Sequence, residues 1–507
     1  MIPRVVLVGI VVVFVLMIWK GPSLDSVYSY RSMEDKPNIL FIVTDDQSLA
    51  DMDAKLPNGE YVMKNVRELI KDKGVEFTQS YVSFALCCPS RATTYTGQYA
   101  HNHGVLSNEW PTGGYLVMNH SNTLPMWLQQ AGYYTAHLGK YLNGYDVHLS
   151  GNGYPPPPPG WSKWFTFVDP PHAYYNFKVF DGQGLISFLG EGYYKTDVLT
   201  RETLKFLQLH PYGDRPFFLK LDYTAPHFDG TVAGYLPIPA PRHLGDMNGT
   251  PLPTPPNFNE MDVSDKPLPI RNRPLLTSQN VDDITLNYHR RMETLLAVDE
   301  GIGQIIQKLM DTGQYANTII IFTSDNGYML GEHRIIQGKS LPYEPIRVPL
   351  YVSGKGIREN TRIDKMAVNV DLAPTILDWA GARPGLPQDG RSLTPLMENP
   401  TISWRRDFLI ENPIDEYTGL RIQEPNGNEY LYTEWDYDPD GSGPLLADGQ
   451  WDEREFYKLS PLPDSCLKTG DPYQLESQHN NACYSNKLQQ MHNRLMNRKN
   501  CQGLRCQ

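Results

Sequence analysis

Asn38-Ile-Leu-Phe-Ile-Val-Thr44, with Asp45-Asp46 directly behind it, is the stretch on which the fold turns. A half-exposed strand alternates polar and apolar residues, so a continuous apolar run of this length marks a strand covered on both faces. Working outward, the same unit recurs. Met63, Val66, Leu69 and Ile70 have helical spacing and predict a helix that Gly74 closes, ahead of a β-rich stretch over residues 75–82. Leu124, Trp127, Leu128 and Ala131 predict another helix, ended by Gly132 and followed by a short strand at 133–138. A helix over 199–209 precedes Pro216 and a strand at 217–221, and an amphipathic helix over 295–309 precedes Gly313 and a strand at 318–323. Helices alternating with buried strands predict an α/β fold built on a large, mainly parallel sheet flanked by helices. In such sheets the working residues gather beyond the carboxyl ends of the strands. Asp45-Asp46, Thr224-Ala-Pro-His227 and Ser324-Asp325-Asn326 all stand at such ends.

Two proline-rich stretches, 155–159 and 237–274, predict loops over that edge, placed to wall a cleft. Past a helix at 371–381 the pattern changes. Residues 408–410, 429–437 and 455–459 read as antiparallel strands, with Asp438-Pro-Asp-Gly441 supplying turn chemistry. The expected organisation is a leader or anchor with its linker over 1–35, a catalytic domain over 36–399, and a small C-terminal α+β subdomain with an antiparallel sheet over 400–507.

At 507 residues, 40% hydrophobic and 20% charged, the chain has the balance of a folded protein with a sizeable core. A net charge of −12 argues against nucleic acid as a partner. An anionic substrate stays possible, because a few converging cations outweigh the mean surface charge. Arg4 precedes an uncharged run over 5–19, then Lys20-Gly-Pro22, as in the n- and h-regions of a secretory signal. The run is short for a membrane span, which needs about 20 residues, and no small-x-small cleavage site follows. A cleaved signal and an uncleaved membrane anchor are therefore both open. Cys466, Cys483, Cys501 and Cys506 cluster at one end and read as two disulfides of an exported chain. Cys466–Cys483 with Cys501–Cys506 is the simplest pairing; zinc is the alternative, without a C-x-x-C or a nearby histidine pair to favour it. Asn119-His-Ser and Asn248-Gly-Thr are N-glycosylation sequons.

Cys87-Cys88-Pro89-Ser90-Arg91, followed by Thr96-Gly97, carries the chemistry. It matches the C-x-P-S-R-x-x-x-x-T-G signature of the sulfatase family, which the chain resembles from Lys36 onward. Asp371-Leu-Ala-Pro-Thr-Ile-Leu377, Asp389-Gly-Arg-Ser392 and the terminal Cys501…Cys506 pair extend the resemblance, and the cysteine motif leans toward glucosamine-6-sulfatases and fungal-type arylsulfatases. The resemblance implies an alkaline-phosphatase-like sandwich that hydrolyses a sulfate monoester, either an aryl sulfate or a sugar 6-sulfate. It also implies that a formylglycine-generating enzyme oxidises Cys87 during export. The destination would be outside the cell, a lysosome or vacuole, or a membrane-anchored lumenal face. A thiol buried beside carboxylates has a raised pKa and attacks poorly. A hydrated aldehyde offers one hydroxyl to attack sulfur and a second whose deprotonation expels sulfate.

By the same resemblance, Asp45, Asp46, Asp325 and Asn326 bind one Ca2+ together with the modified Cys87; hard oxygen ligands suit Ca2+ or Mg2+ over zinc. Gly139-Lys140-Tyr141, Gly338-Lys339 and Pro226-His227 resemble family segments that assign Lys140 and Lys339 to sulfate and leaving-group oxygens, and His227 to a sulfate contact. Arg91 is expected to hold the nucleophile's hydroxyl and the charge of the metal cluster. One position departs from the pattern. Many sulfatases carry G-K-W-H, whereas Leu142 and then Asn143 follow Tyr141 here, leaving the base open among His101, His103 and His333. The rival readings are a phosphate or phosphonate monoester hydrolase of the same superfamily, and a non-catalytic glycan-binding relative, which would lack Arg91, Lys339 or a metal aspartate.

Overall fold

The computed structural model describes residues 36–146, 155–168, 170–209, 211–413, 417–435 and 453–507. The expected leader or anchor and the Asp438-Pro-Asp-Gly441 turn lie outside these residues. In chain order the strands are β1 Asn38–Thr44, β2 Gly74–Phe77, β3 Ser80–Tyr81, β4 Tyr134–Gly139, β5 Lys163–Val168, β6 Phe177–Phe180, β7 Leu185–Phe188 and β8 Phe217–Asp222. They continue with β9 Thr318–Ser324, β10 Leu350–Gly354, β11 Thr361–Ile363, β12 Ala367–Val368, β13 Asp407–Asn412, β14 Tyr417–Gln423, β15 Glu429–Trp435 and β16 Glu453–Lys458.

A ten-stranded sheet runs β11-β2-β10-β9-β1-β8-β4-β5-β6-β7. Its middle, β9 through β5, is parallel, and β10 on one side and β6–β7 on the other are antiparallel. β1 is the hub. All seven of its residues are buried, and alternate side chains serve different cores, as the two-residue period requires. Leu40 and Ile42 join a cluster with Val198, Leu199, Leu295 and Ile302 from the helices Lys195–Leu209 and Ser278–Asp311. Ile39, Phe41 and Val43 join Leu124, Trp127, Ile376 and Leu377 from the helices Leu124–Gln130 and Leu372–Ala380 on the other face.

Several expectations shift in detail. The stretch at 75–82 is two strands: β2 enters the main sheet, while β3 pairs with β12. The helix expected at 295–309 begins at Ser278, behind a Thr277–Asn280 capping box. The helix at 63–70 is one α-turn, Lys64–Val66, running into the wider π-turn Arg67–Lys71. The antiparallel C-terminal sheet, β13-β14-β15-β16, contains β14 in addition to the expected strands. It packs with Met491 and Leu495 of the Ser485–Arg498 helix. Cys466 is bonded to Cys483 and Cys501 to Cys506. Among the described residues no helix is long and apolar enough to cross a membrane.

Because Ile42 fills the core directly behind Asp45 and Asp46, Ile42→Ala should cost about 2–5 kcal/mol of stability. Denaturant titration followed by circular dichroism would show this as a lowered midpoint.

Candidate active site

Strand register brings the two acidic pairs together. Thr44 and Ser324 are partners at the carboxyl ends of β1 and β9, so the chain leaves both strands side by side as Asp45-Asp46 and Asp325-Asn326. The Asp46 N–H donates to Asp325 Oδ1 (3.1 Å), and Asn326 Nδ2 donates to Asp46 Oδ1 (2.7 Å). Asp46 sits at φ +68°, a left-handed conformation that a non-glycine residue keeps only where its surroundings hold it. Buried Arg291 supplies such a hold, donating to the Asp46 carbonyl.

Cys87 is the first residue of the helix Cys87–Thr96, every residue of which is buried. Its thiol lies 3.6 Å from Asp45 Oδ1 and 3.0 Å from Lys339 Nζ. Arg91, one turn on and therefore on the same helix face, donates from Nε to Asp325 (2.8 Å) and from Nη1 to Asp222 (2.9 Å). Lys140 leaves the end of β4 and donates to Asp45. The preceding Gly139 is obligatory, since a Cβ there would stand 1.9 Å from the Asp222 carbonyl oxygen. Lys339 reaches Asp46 Oδ1 at 2.6 Å. His227, just beyond β8, places Nε2 3.7 Å from Asp46 Oδ2 and uses Nδ1 on the Phe228 carbonyl (2.9 Å). Every residue singled out for the site is thus in one cradle at the carboxyl edge of the sheet.

Its electrostatics follow from burial against charge. Burial pushes the Cys87 thiol up to about 12, against the pull of Lys140 and Lys339, so the unmodified sulfur is protonated at neutral pH. Burial would also raise Asp46, but the ammonium of Lys339 above all, with Lys140, outweighs it and holds this carboxyl low. Asp325 is raised, by burial and then by Asp45. Burial disfavours the charge on Arg91, yet Asp325, Asp222 and Asp45 keep its pKa well above the ordinary value. His227 goes the other way. Burial brings it down to about 3 despite Asp46, so it is neutral, contrary to the imidazolium that a purely cationic sulfate contact needs. A carbonyl only accepts, so Nδ1 is the protonated nitrogen and Nε2 faces the cradle with a lone pair.

Side-chain oxygens of Asp45, Asp46 and Asp325 lie within 4.8 Å of one another. Asp46 Oδ2 and Asn326 Oδ1 are buried and accept no hydrogen bond. Oxygens left over in this way, from hard ligands, fit a Ca2+ or Mg2+ ion.

The three histidines left open as bases are held elsewhere. His101 lies between Glu411 (2.5 Å) and the Cys501 carbonyl (2.7 Å), His103 bonds Thr93 (3.1 Å), and His333 bonds Glu260 (2.6 Å). Asn143 meets Cys88 Sγ through its backbone N–H (3.2 Å). Cys88 itself packs among Tyr95, Tyr141 and Leu142, away from the acidic cluster. Sequence reasoning missed Asp222 and Lys220, which form a buried pair at 2.6 Å behind Arg91. A lysine and an aspartate two apart in Phe217-Phe-Leu-Lys-Leu-Asp222 point to one face of an otherwise apolar strand, and that was the available clue. His172, stacked on His227 at 4.5 Å between ring centroids, comes from a loop with no such mark.

Comparison with known proteins agrees with this picture. The family model described as Sulfatase matches residues 37–382. Human N-acetylglucosamine-6-sulfatase is 34% identical over 387 residues, which cover 74% of this chain and 67% of that protein. The chain spans 54 to 67% of the length of the first curated relatives it matches. A solved protein described in complex with its substrate D-glucosamine-2-N,6-O-disulfate superposes with a TM-score of 0.72 at 26% identity, over 91% of this chain and 97% of its own. A phosphonate monoester hydrolase of Agrobacterium radiobacter shares the fold at a TM-score of 0.66 and 18% identity, over 91% of this chain and 95% of that one.

Arg91→Ala should cost about 3–5 kcal/mol, because it strands the buried Asp325 carboxylate and leaves Asp222 to Lys220 alone. Chemical denaturation of the variant beside the parent measures this; a loss below about 1 kcal/mol would contradict the pairing described here.

Proposed function

Because the chain belongs to the sulfatase family, we propose that it hydrolyses a sulfate monoester, a sugar 6-sulfate or an aryl sulfate, at the Cys87 cradle. The observation that carries this reading is the convergence of Cys87, three carboxylates, Arg91, Lys140 and Lys339 on one buried point. Asp45, Asp46, Asp325 and Asn326 would hold one Ca2+, which supplies positive charge against the sulfate and the nucleophile. Formylglycine made from Cys87 would supply the oxygen nucleophile that the protonated thiol lacks.

The chain's own residues do the rest. Lys140 and Lys339 bind sulfate oxygens and steady the charge that develops on the leaving oxygen. Arg91 holds the Asp325 and Asp222 carboxylates in place, so the proposed metal ligands and position 87 keep one geometry. His227 borders the sulfate position as a neutral side chain, and the sulfate contact expected of it would need a proton at Nε2. Exposed Asn119 and Asn248, together with two disulfides, fit passage through an oxidising, glycosylating compartment. Export through the secretory pathway, with Cys87 converted on the way by a formylglycine-generating enzyme, is the corresponding localisation. A phosphonate or phosphate monoesterase is the second reading, favoured by the fold shared with the phosphonate hydrolase. A non-catalytic role is disfavoured by the intact set of Arg91, Lys339 and the aspartates.

Peptide mass spectrometry of protein exported from a converting host should find formylglycine at position 87 and an unmodified cysteine at 88. Cys87→Ala should fold and show no turnover; a free thiol at Cys87 in fully active protein would sink the mechanism. Chelation of Ca2+ should abolish turnover and lower the melting temperature, since it leaves three clustered carboxylates to repel one another.

The anion is decided by turnover. A sulfate monoester carries one negative charge and a phosphate monoester approaches two above a second pKa near 6, so affinity alone does not separate them. With Cys87 conversion verified, p-nitrophenyl sulfate or a 6-sulfated hexosamine should show the higher kcat/KM at mildly acidic pH. Faster hydrolysis of the phosphate or phosphonate ester would replace the sulfatase reading with its rival.

A further inference from the structure

A row of rings leads outward from the cradle. His227, beside Asp46, is 4% exposed; its ring lies 4.1 Å from that of half-buried Phe228, which meets the 55% exposed Tyr235 edge-on at 5.4 Å. His172 stacks on His227 at 4.5 Å and approaches Phe228 at 6.4 Å. Its Nε2 is buried and hydrogen-bonds to nothing among the described residues.

The loop that carries these rings is tightly built. Asp229 is buried, and its carboxylate accepts from the Tyr174 N–H (2.9 Å), the Thr231 N–H (2.8 Å) and the Thr231 hydroxyl (2.6 Å). Its own N–H donates to the Leu236 carbonyl at 3.2 Å and closes the loop. Tyr235 sits at φ +49°, where a bulky residue stays only if the surroundings hold it. Core packing does not explain a ring that is mostly in solvent. A rigidly presented aromatic reached from the cradle through Phe228 offers a ligand an apolar face at low ordering cost.

We propose that Phe228, Tyr235 and His172 form the leaving-group subsite and take a pyranose ring. The aromatic rings carry its C–H face, and His172 Nε2 pairs with one of its hydroxyl or amide groups. The location rests on the sulfatase reading: with the sulfate held at the inner end, the alcohol must extend outward. Rising exposure from His227 to Tyr235 marks that route. The ring class follows from the mixed chemistry of the wall. A pyranose has an apolar face and a polar rim, whereas a simple aryl ring offers the face alone and leaves a buried nitrogen unpaired.

Binding to the Cys87→Ala protein, which does not turn over, isolates this subsite from catalysis. Calorimetry with 6-sulfated N-acetylglucosamine, p-nitrophenyl sulfate and inorganic sulfate separates the ring from the anion. In that background Tyr235→Ala should weaken the sugar sulfate about tenfold, leave the Kd of inorganic sulfate unchanged, and be rescued by Tyr235→Phe. His172→Ala should weaken the sugar sulfate more than p-nitrophenyl sulfate. Equal losses for sugar sulfate and inorganic sulfate, no loss at Tyr235, or no binding of the sugar sulfate at all would overturn the proposal. If these binding differences hold while converted wild-type protein cleaves no sulfate ester, the activity reading falls and the subsite stands.

Discussion

Four carboxylates, those of Asp45, Asp46, Asp222 and Asp325, lie together at no more than 4% exposure. Removing a carboxylate from water costs on the order of several kcal/mol unless it is paired and hydrogen-bonded, so this cluster constrains everything around it. Arg91 bridges Asp325 and Asp222, Lys220 backs Asp222, Lys140 meets Asp45, and Lys339 meets Asp46. The formal charges of these side chains balance. On formal charge the side chains alone leave the cradle neutral, and a divalent cation, as proposed above, would make it net positive. The spare oxygens of Asp46 and Asn326 fit the same cation.

The sheet is what makes such crowding feasible. Like charges are brought close only by a scaffold whose own stability exceeds their repulsion, and β1, β9, β8 and β4 are neighbours in a buried parallel array. Each contributes a polar residue at its carboxyl end. Asp45 and Asp46 follow β1, Asp325 and Asn326 follow β9, Asp222 ends β8, and Lys140 follows β4. The Asp325 N–H donates to the Thr44 carbonyl (3.1 Å), and the Lys140 N–H to the Asp222 carbonyl (3.0 Å). Backbone bonds therefore continue past the strands and set the spacing of the charged side chains.

What the sequence disclosed follows the same physics. The runs at β1 and β9 were legible because full burial forbids polar residues along them, and the acidic pairs stood out where each run stops. Lys220 and Asp222 were hidden because each alone reads as a strand-end polar residue; only the fold shows that they neutralise one another behind Arg91. The first half of the Ser278–Asp311 helix was missed because its outer face is polar, which leaves a weak apolar period to read. β5, β6 and β7 are short and follow a polyproline stretch, so no pattern of useful length precedes them. The histidines near the motifs were misleading for a related reason: proximity in sequence placed His101 and His103 near Cys87, but helix geometry turns them toward other partners.

That turning bears on how position 87 is held. The helix that begins at Cys87 ends at Gly97, at φ +67°, where a Cβ would meet Gln388 Oε1 at 2.0 Å. Beyond it, the Tyr99 N–H donates to Asp389 (2.8 Å), the Ala100 N–H to Glu411 (2.9 Å), and His101 and Asn102 bond the Cys501 carbonyl. Gly503 closes the arrangement by donating to Asp389 at 2.6 Å. One end of the segment is thus pinned by the charged cradle, and the other by β13 and the loop that the Cys501–Cys506 disulfide closes. In the proposed reaction the attacking atom would come from position 87, and attack at a crowded centre tolerates little misplacement of it. A short helix fixed at both ends, buried along its whole length, supplies that precision in a way that a nucleophile on a free loop would not.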